Sequence, residues 1–164
     1  MRGDNYIMAR EKLTIEDAEI FWKNFSGRGS TYNAEGDRNF CVNIDPSVSE
    51  RLKADGWNVK YSKPRDEGDE PKPYIPVKVA YGNYPPKIFM VTSRNQTLLD
   101  EDTIGELDRA EIERVDLVIS PYHWTLPGGK SGIKAYVDTM YVTIAEDFGG
   151  RYSAPRNEEE NLPF

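Results

Sequence analysis

Residues Tyr74 to Tyr81 set the tightest limit on how this chain can fold. Ile75, Val77, Val79 and Tyr81 fall on one side of an extended backbone; Tyr74, Pro76, Lys78 and Ala80 fall on the other. A period of two marks a half-buried β-strand, because a helix would scatter the same residues around its axis. The pattern recurs from Asn39 to Asp45, where Phe40, Val42 and Ile44 oppose Cys41 and Asn43, and again in Trp57, Val59 and Tyr61. Pro76 has no N–H to give a ladder, which predicts an edge position or a bulge for its strand.

The rest of the chain punctuates these runs. Met1 to Lys12 is polar and reads as a flexible N-terminus, with Met8 an alternative start. Ile20, Phe21, Trp22 and Phe25 have strand character. The Gly- and Asn-rich stretch Ser26–Arg38 reads as a flexible hairpin loop. Asp45-Pro46-Ser47 opens a short helix, with Ser47 and Glu50 at capping-box spacing and Gly56 closing it. The loop Ser62–Pro73 is acidic, but its spacing is not that of a calcium-binding EF-hand. Lys87–Thr92 reads as a strand and Asp100–Arg114 as a second short helix. Val115–Ser120 is a compact apolar strand, Thr125–Gly132 a Gly-rich loop, and Ile133–Ile144 a last strand long enough to bend at a bulge. Short strands without strand–helix alternation argue against a doubly wound parallel sheet. They predict a mainly β fold, an OB-fold-like antiparallel barrel with one or two short helices, spanning 13–148. Gly149-Gly150 then starts a flexible acidic tail, 149–164.

Composition removes several function classes. Cys41 and His123 are the only residues of their kinds, which leaves no internal disulfide, and a zinc site or a His-based triad is nearly excluded. Gly128-Gly129-Lys130-Ser131 misses the G-x-x-x-x-G-K-[ST] spacing of a phosphate-binding loop, since Trp124 stands where the first Gly belongs. The many acids lie in solvated runs rather than singly at strand ends, which gives little support to a metal-dependent nuclease. No catalytic residue, metal or cofactor is expected. The net charge of −7 argues against a nucleic-acid binder driven by overall charge, but leaves room for a local basic groove.

The acids are unevenly placed. None occurs from Pro71 to Leu99 or from Leu117 to Val137, while Asp100 to Asp116 packs eight acids against two arginines. If the two acid-free windows lie on neighbouring strands and the acidic stretch lies elsewhere, the result is a basic, aromatic groove on an acidic body. Single-strand binding needs this combination, cations for the phosphates and flat rings for bases of any identity. The candidates in the two windows are Lys72, Tyr74, Lys78, Lys87, Arg94, Tyr122, Trp124, Lys130 and Lys134. Lys23, Phe25, Arg28, Tyr32 and Arg38 join them from the early loop, because in an OB-fold the loops after the first and fourth strands flank the binding face. Tyr81, Trp57 and Phe40 share faces with aliphatic residues and are assigned to the core.

The last residues, Glu158-Glu159-Glu160-Asn161-Leu162-Pro163-Phe164, are acidic and end on an aromatic ring. Such a tip can dock in a basic-rimmed pocket that captures ring and carboxylate together. It resembles the C-terminal tip of bacterial and phage single-stranded-DNA-binding proteins. The body resembles the phage type in pattern, with strands ending in Asn39–Ile44 and Val115–Ser120, a Gly-Lys-Ser-Gly turn at 129–132 and a long last strand. The resemblance implies a non-enzymatic protein that protects single-stranded DNA, without strong sequence preference, in replication and recombination. It implies recruitment of replication or recombination proteins through Glu158, Glu159, Glu160, Leu162, Pro163 and Phe164, in the cytoplasm of a bacterial host. RNA binding and self-association stay open. The alternative is an acidic protein-interaction module, such as a DNA-mimicking inhibitor, which would account for the charge directly and would have no affinity for single strands.

Overall fold

The computed structural model describes residues 6–9, 12–63 and 67–146. Ten strands form one sheet: β1 (Tyr6–Ala9), β2 (Lys12–Ile15), β3 (Ile20–Asn24), β4 (Arg38–Asn43), β5 (Lys60–Tyr61), β6 (Pro73–Val79), β7 (Lys87–Val91), β8 (Gln96–Leu99), β9 (Ile112–Thr125) and β10 (Ser131–Ile144). The one α-helix, α1 (Pro46–Ala54), and a 3-10 turn (Ile104–Asp108) complete the described secondary structure. The order across the sheet is β1-β2-β9-β10-β6-β4-β3, with β5 beside β6 and the β7–β8 pair beside β10. The fold is mainly β, as the alternation predicts.

The sheet curls because one chain segment borders both of its ends. β2 pairs with β9 and β3 with β4, yet β2 and β3 are separated only by residues 16–19. In this connection Asp17 takes a φ of 53°, the Ala18 N–H donates to Val115 O at 2.7 Å, and the Asn43 N–H donates to Glu19 O at 2.9 Å. The seam lacks a continuous ladder, so the sheet is a partly open, OB-like barrel.

Several expectations need amendment. The sheet is mixed rather than wholly antiparallel, because β10 runs parallel to both β6 and β7. Tyr6–Ala9, read as loose, pairs with Lys12–Ile15 as β1. Pro76 lies on an interior strand. Beyond β4, the other side of β6 is shared by β5, at Pro73 and Tyr74, and β10, at Val77 and Lys78. Pro76 falls in the gap between those two ladders, where a missing N–H costs little. The cap of α1 is Asp45, whose Oδ1 accepts from the Ser47 N–H at 2.9 Å, while Glu50 instead accepts from the Tyr61 hydroxyl. The second helix shrinks to the 3-10 turn, and β9 begins at Ile112 and continues through Pro121-Tyr122-His123-Trp124.

The core is what the alternating faces enclose. Phe40 and Val42 of β4, Ile75 and Val77 of β6, Leu117 and Ile119 of β9, and Met140 and Val142 of β10 are buried together. α1 follows the end of β4 and adds Leu52, and Trp57 then bridges to Ile133. The 3-10 turn adds Ile104 and Leu107 near the start of β4, where Glu101 pairs with Arg38.

Candidate nucleic-acid interface

Strand register decides which side chains share the outer face. Asn39, Cys41 and Asn43 of β4 lie opposite Lys78, Pro76 and Tyr74 of β6, and Lys60 of β5 lies opposite Tyr74. Lys78 is level with Tyr136 of β10, which is level with Ser120 of β9; one step along, Lys134 meets Tyr122, and then Gly132 meets Trp124. The alternate residues of these strands point into the core, so all of these point outward. The expected union of the two acid-free windows is therefore real: β6 from the first and β9–β10 from the second lie side by side, with β4 next to β6. Lys60, Lys78 and Lys134 are exposed on this face. Asp138, at the β10 bulge, is the acid at its border, and Lys12 pairs with it at 2.7 Å.

A bulge builds the ring cluster. Phe21 pairs with Cys41 and Asn24 with Asn39, so β3 carries one residue more than β4 over this stretch. Trp22 absorbs it at a φ of 52°, a left-handed conformation that costs an L-residue about 1–2 kcal/mol. The consequence is that two successive side chains reach the same face. Phe21 and Trp22 meet edge-on at 4.9 Å, and Tyr74 stands 5.3 Å from Phe21 and 5.9 Å from Trp22. Trp22 remains 70% exposed, which burial alone would not favour. Bulges commonly re-aim a side chain at a functional site, and strain collects there. Beside the cluster, Trp22, Asn24, Ser30, Tyr32, Asn33 and Asn39 line a groove of about 610 Å³.

The β3–β4 loop is a bonded platform rather than a flexible arm. The Asn24 carboxamide oxygen accepts from the Gly27 and Arg28 N–H groups, and Gly36 N donates to Gly27 O at 2.7 Å. The Asn33 amide donates to the carbonyls of Arg28, Ala34 and Asp37. At its root the Asp108 carboxylate accepts from the N–H groups of Phe25 and Ser26, both at 2.8 Å. Tyr32 projects from this platform 96% exposed, and Arg28 is exposed beside it.

The geometry removes some sequence candidates. Phe25 is fully buried against Phe40 at 5.6 Å, so it is core. Lys23 points the opposite way from Trp22: its Nζ donates to Asp108 O, and it lines a cleft with Asp17, Glu19 and Glu113. Arg38 has the inward parity of Phe40. Its guanidinium lies over the Tyr81 ring and pairs with Glu101, and burial pushes the Tyr81 hydroxyl up to about 12. The acidic stretch is thus not remote from the early loop; it packs on the loop's root and occupies two of its cations. Lys72 lines a cleft with Glu16, Asp17, Glu19 and Asp45, and Arg94 sits near Glu146 where β10 ends. Both therefore stand beside acids.

Lys78, Lys134, Tyr74, Tyr122 and Trp124 stay on the face. Lys87 opens β7 and lines a cleft with Tyr122, and Lys130 stands on the β9–β10 turn, which is only Leu126–Lys130. The Trp124 indole lies so close to Gly132 that a Cβ there would come 2.7 Å from the ring. Phe21, Trp22 and Lys60 escaped the sequence reading. The one available signal was three successive apolar residues, Ile20-Phe21-Trp22, which violate a period of two and so announce a bulge. Cys41 lies on the face, but burial raises its thiol pKa, so it is a packed side chain rather than a nucleophile. The tail residues Glu158–Phe164 lie outside the described residues. Among the described residues, no group of His, Cys, Asp and Glu is placed to hold a metal ion, and no helix is long and apolar enough to cross a membrane.

Comparison with known proteins adds a family. No curated protein matches the sequence. Among solved structures, the chain is similar to the single-stranded DNA-binding protein from bacteriophage Enc34. The C-terminal truncation of that protein gives a TM-score of 0.54 at 11% identity, covering 90% of this chain and 94% of the other. Another structure of it gives 0.53 at 10% identity, with 90% and 89% covered. At such identities the likeness concerns the fold. The sequence itself, over residues 4–162, matches the family described as putative phage ssDNA-binding domain, and the chain belongs to that family.

Proposed function

We propose that this member of a phage single-stranded-DNA-binding family holds its strand across the outer face of β3, β4, β6, β10 and β9. The carrying observation is the Phe21–Trp22–Tyr74 ring cluster beside Lys60, Lys78 and Lys134, on a face where β4 and β6 present no acid. Rings that stack on any base and cations that follow phosphates give binding with little sequence preference. The protein acts by covering the strand, in replication or recombination in the host cytoplasm, and not by chemistry on it. The acidic Pro-Phe tip recruits protein partners and competes electrostatically with DNA; its sequence supports this reading.

A titration of labelled oligo-dT at several salt concentrations, following Trp fluorescence, tests the proposal. Binding should quench Trp emission and weaken as salt rises, and Lys78→Gln should reduce the log–log salt slope by about 0.7, the value of one single-strand phosphate contact. Absence of binding at low salt, with residues 155–164 also deleted, would refute it.

A further inference from the structure

The outer face does not end at Tyr136. Between β6 and β7 the chain passes beside the β10 bulge, and Tyr84 stands out from this loop 94% exposed. Pro85 and Pro86 follow it, with φ fixed by their rings, and the first of them biases the Tyr84 backbone to extended conformations. Across from it, Tyr122 and Tyr136 meet edge-on at 6.1 Å, and Tyr122 is more than half exposed. These three rings, with Pro121 and Lys87, line a cleft of about 460 Å³, within the range of small-molecule sites. Its one acid, Asp138, accepts from the Ser120 hydroxyl at 3.0 Å and the Thr139 hydroxyl at 2.8 Å, besides pairing with Lys12. That charge is therefore engaged and does not repel a strand as a free carboxylate would.

We infer that this cleft is a second base-stacking subsite, taking a nucleobase of the same strand that the Trp22 cluster holds; the inference rests on the proposed single-strand binding. Tyr84 gains nothing from its position by burial, and Pro85 restricts its backbone to extended conformations, which removes part of the entropy cost of stacking a base on it. Lys87 is placed for the phosphate. From β3 to β9 the sheet takes four strand-to-strand steps, about 19 Å at the usual spacing of roughly 4.8 Å. The two subsites thus hold bases several nucleotides apart, with Lys78 and Lys134 between them. The footprint is bipartite.

The test uses the full-length chain, labelled dT15, and dT15 probes carrying one 5-iodouracil at successive positions. Tyr84→Ala should weaken dT15 binding about fivefold or more, and Tyr84→Phe, which keeps the ring, should restore it. Photocrosslinks should appear both in the peptide containing Trp22 and in that containing Tyr84, from probe positions several nucleotides apart. Unchanged affinity for Tyr84→Ala, or crosslinks that never reach residues 80–87, would overturn the second subsite while wild-type binding left the proposed function standing. If the wild type fails to bind dT15, both fall.

Discussion

Replacing Trp22 with glycine separates binding from stability. The side chain is 70% exposed and makes two edge-on ring contacts, with Phe21 and Tyr74. Such contacts are worth about 0.5–1.5 kcal/mol each, so their loss costs about 1–3 kcal/mol. Against this, φ is 52° at Trp22, and glycine relieves about 1–2 kcal/mol of left-handed strain. The net change lies between a gain of about 1 kcal/mol and a loss of about 2 kcal/mol, a fall in Tm of at most about 8 °C for a domain of this size. Binding should change much more. A stacked base contributes about 1–3 kcal/mol, so Trp22→Gly should raise the Kd for oligo-dT about 5- to 150-fold. Trp22→Phe should lie close to the wild type, since it keeps a ring at the same backbone position. Fluorescence anisotropy at fixed salt reads the first quantity, and thermal unfolding followed by circular dichroism the second. Undiminished affinity in Trp22→Gly would show that the bulge does not present a stacking ring. A loss of more than about 3 kcal/mol of stability would show that the ring serves the fold instead.

Two further outcomes are expected. Gly132→Ala places a methyl 2.7 Å from Trp124 Cζ2, so the indole must leave its seat. Its indole N–H resonance should shift, with a stability cost of about 1–3 kcal/mol, and an unmoved resonance would contradict the packing described. Asp138 is held below the ordinary carboxylate range first by the Lys12 hydrogen bond and then by those of Thr139 and Ser120. A depressed folded-state pKa contributes stability above the unfolded value of about 4, and that contribution disappears as pH falls through the lower folded value. Asp138→Asn should therefore lower Tm near neutrality, and the difference from wild type should vanish in acid. A difference that grows in acid would reverse the assignment.

What could be read from the sequence was what nearest neighbours along the chain decide. The alternation at Tyr74–Tyr81 and Asn39–Asp45 placed two strands and their inward faces, because a period of two is a property of one extended segment. The absence of acids from two windows marked β6 and the neighbouring parts of β9 and β10, whose outward residues within those windows, such as Tyr74, Lys78, Tyr122 and Lys134, carry no negative charge. The acidic Pro-Phe tip and the strand pattern together carried the family resemblance. Loop chemistry was less legible. Ser26–Arg38 reads as flexible by composition, but Asn24 and Asn33 spend their amides on its backbone, and Asp108, over eighty residues away, ties its root.

Tertiary structure alone decided which cations and rings are available. Lys23 and Arg38 look like groove residues until the 3-10 turn region brings Asp108 and Glu101 to them, and Phe25 looks like a stacking ring until the barrel closes over it. The parallel pairing of β10 with β6 brings Tyr136 level with Lys78 from nearly sixty residues away, which no local pattern encodes. The one extra residue in β3 turns Trp22 outward, a decision made by register against β4 and not by Trp22 itself. A sequence determines which faces a strand has. Which faces meet, and which charges are already paired when they do, depends on contacts between segments far apart in the chain, and only the folded sheet makes those contacts.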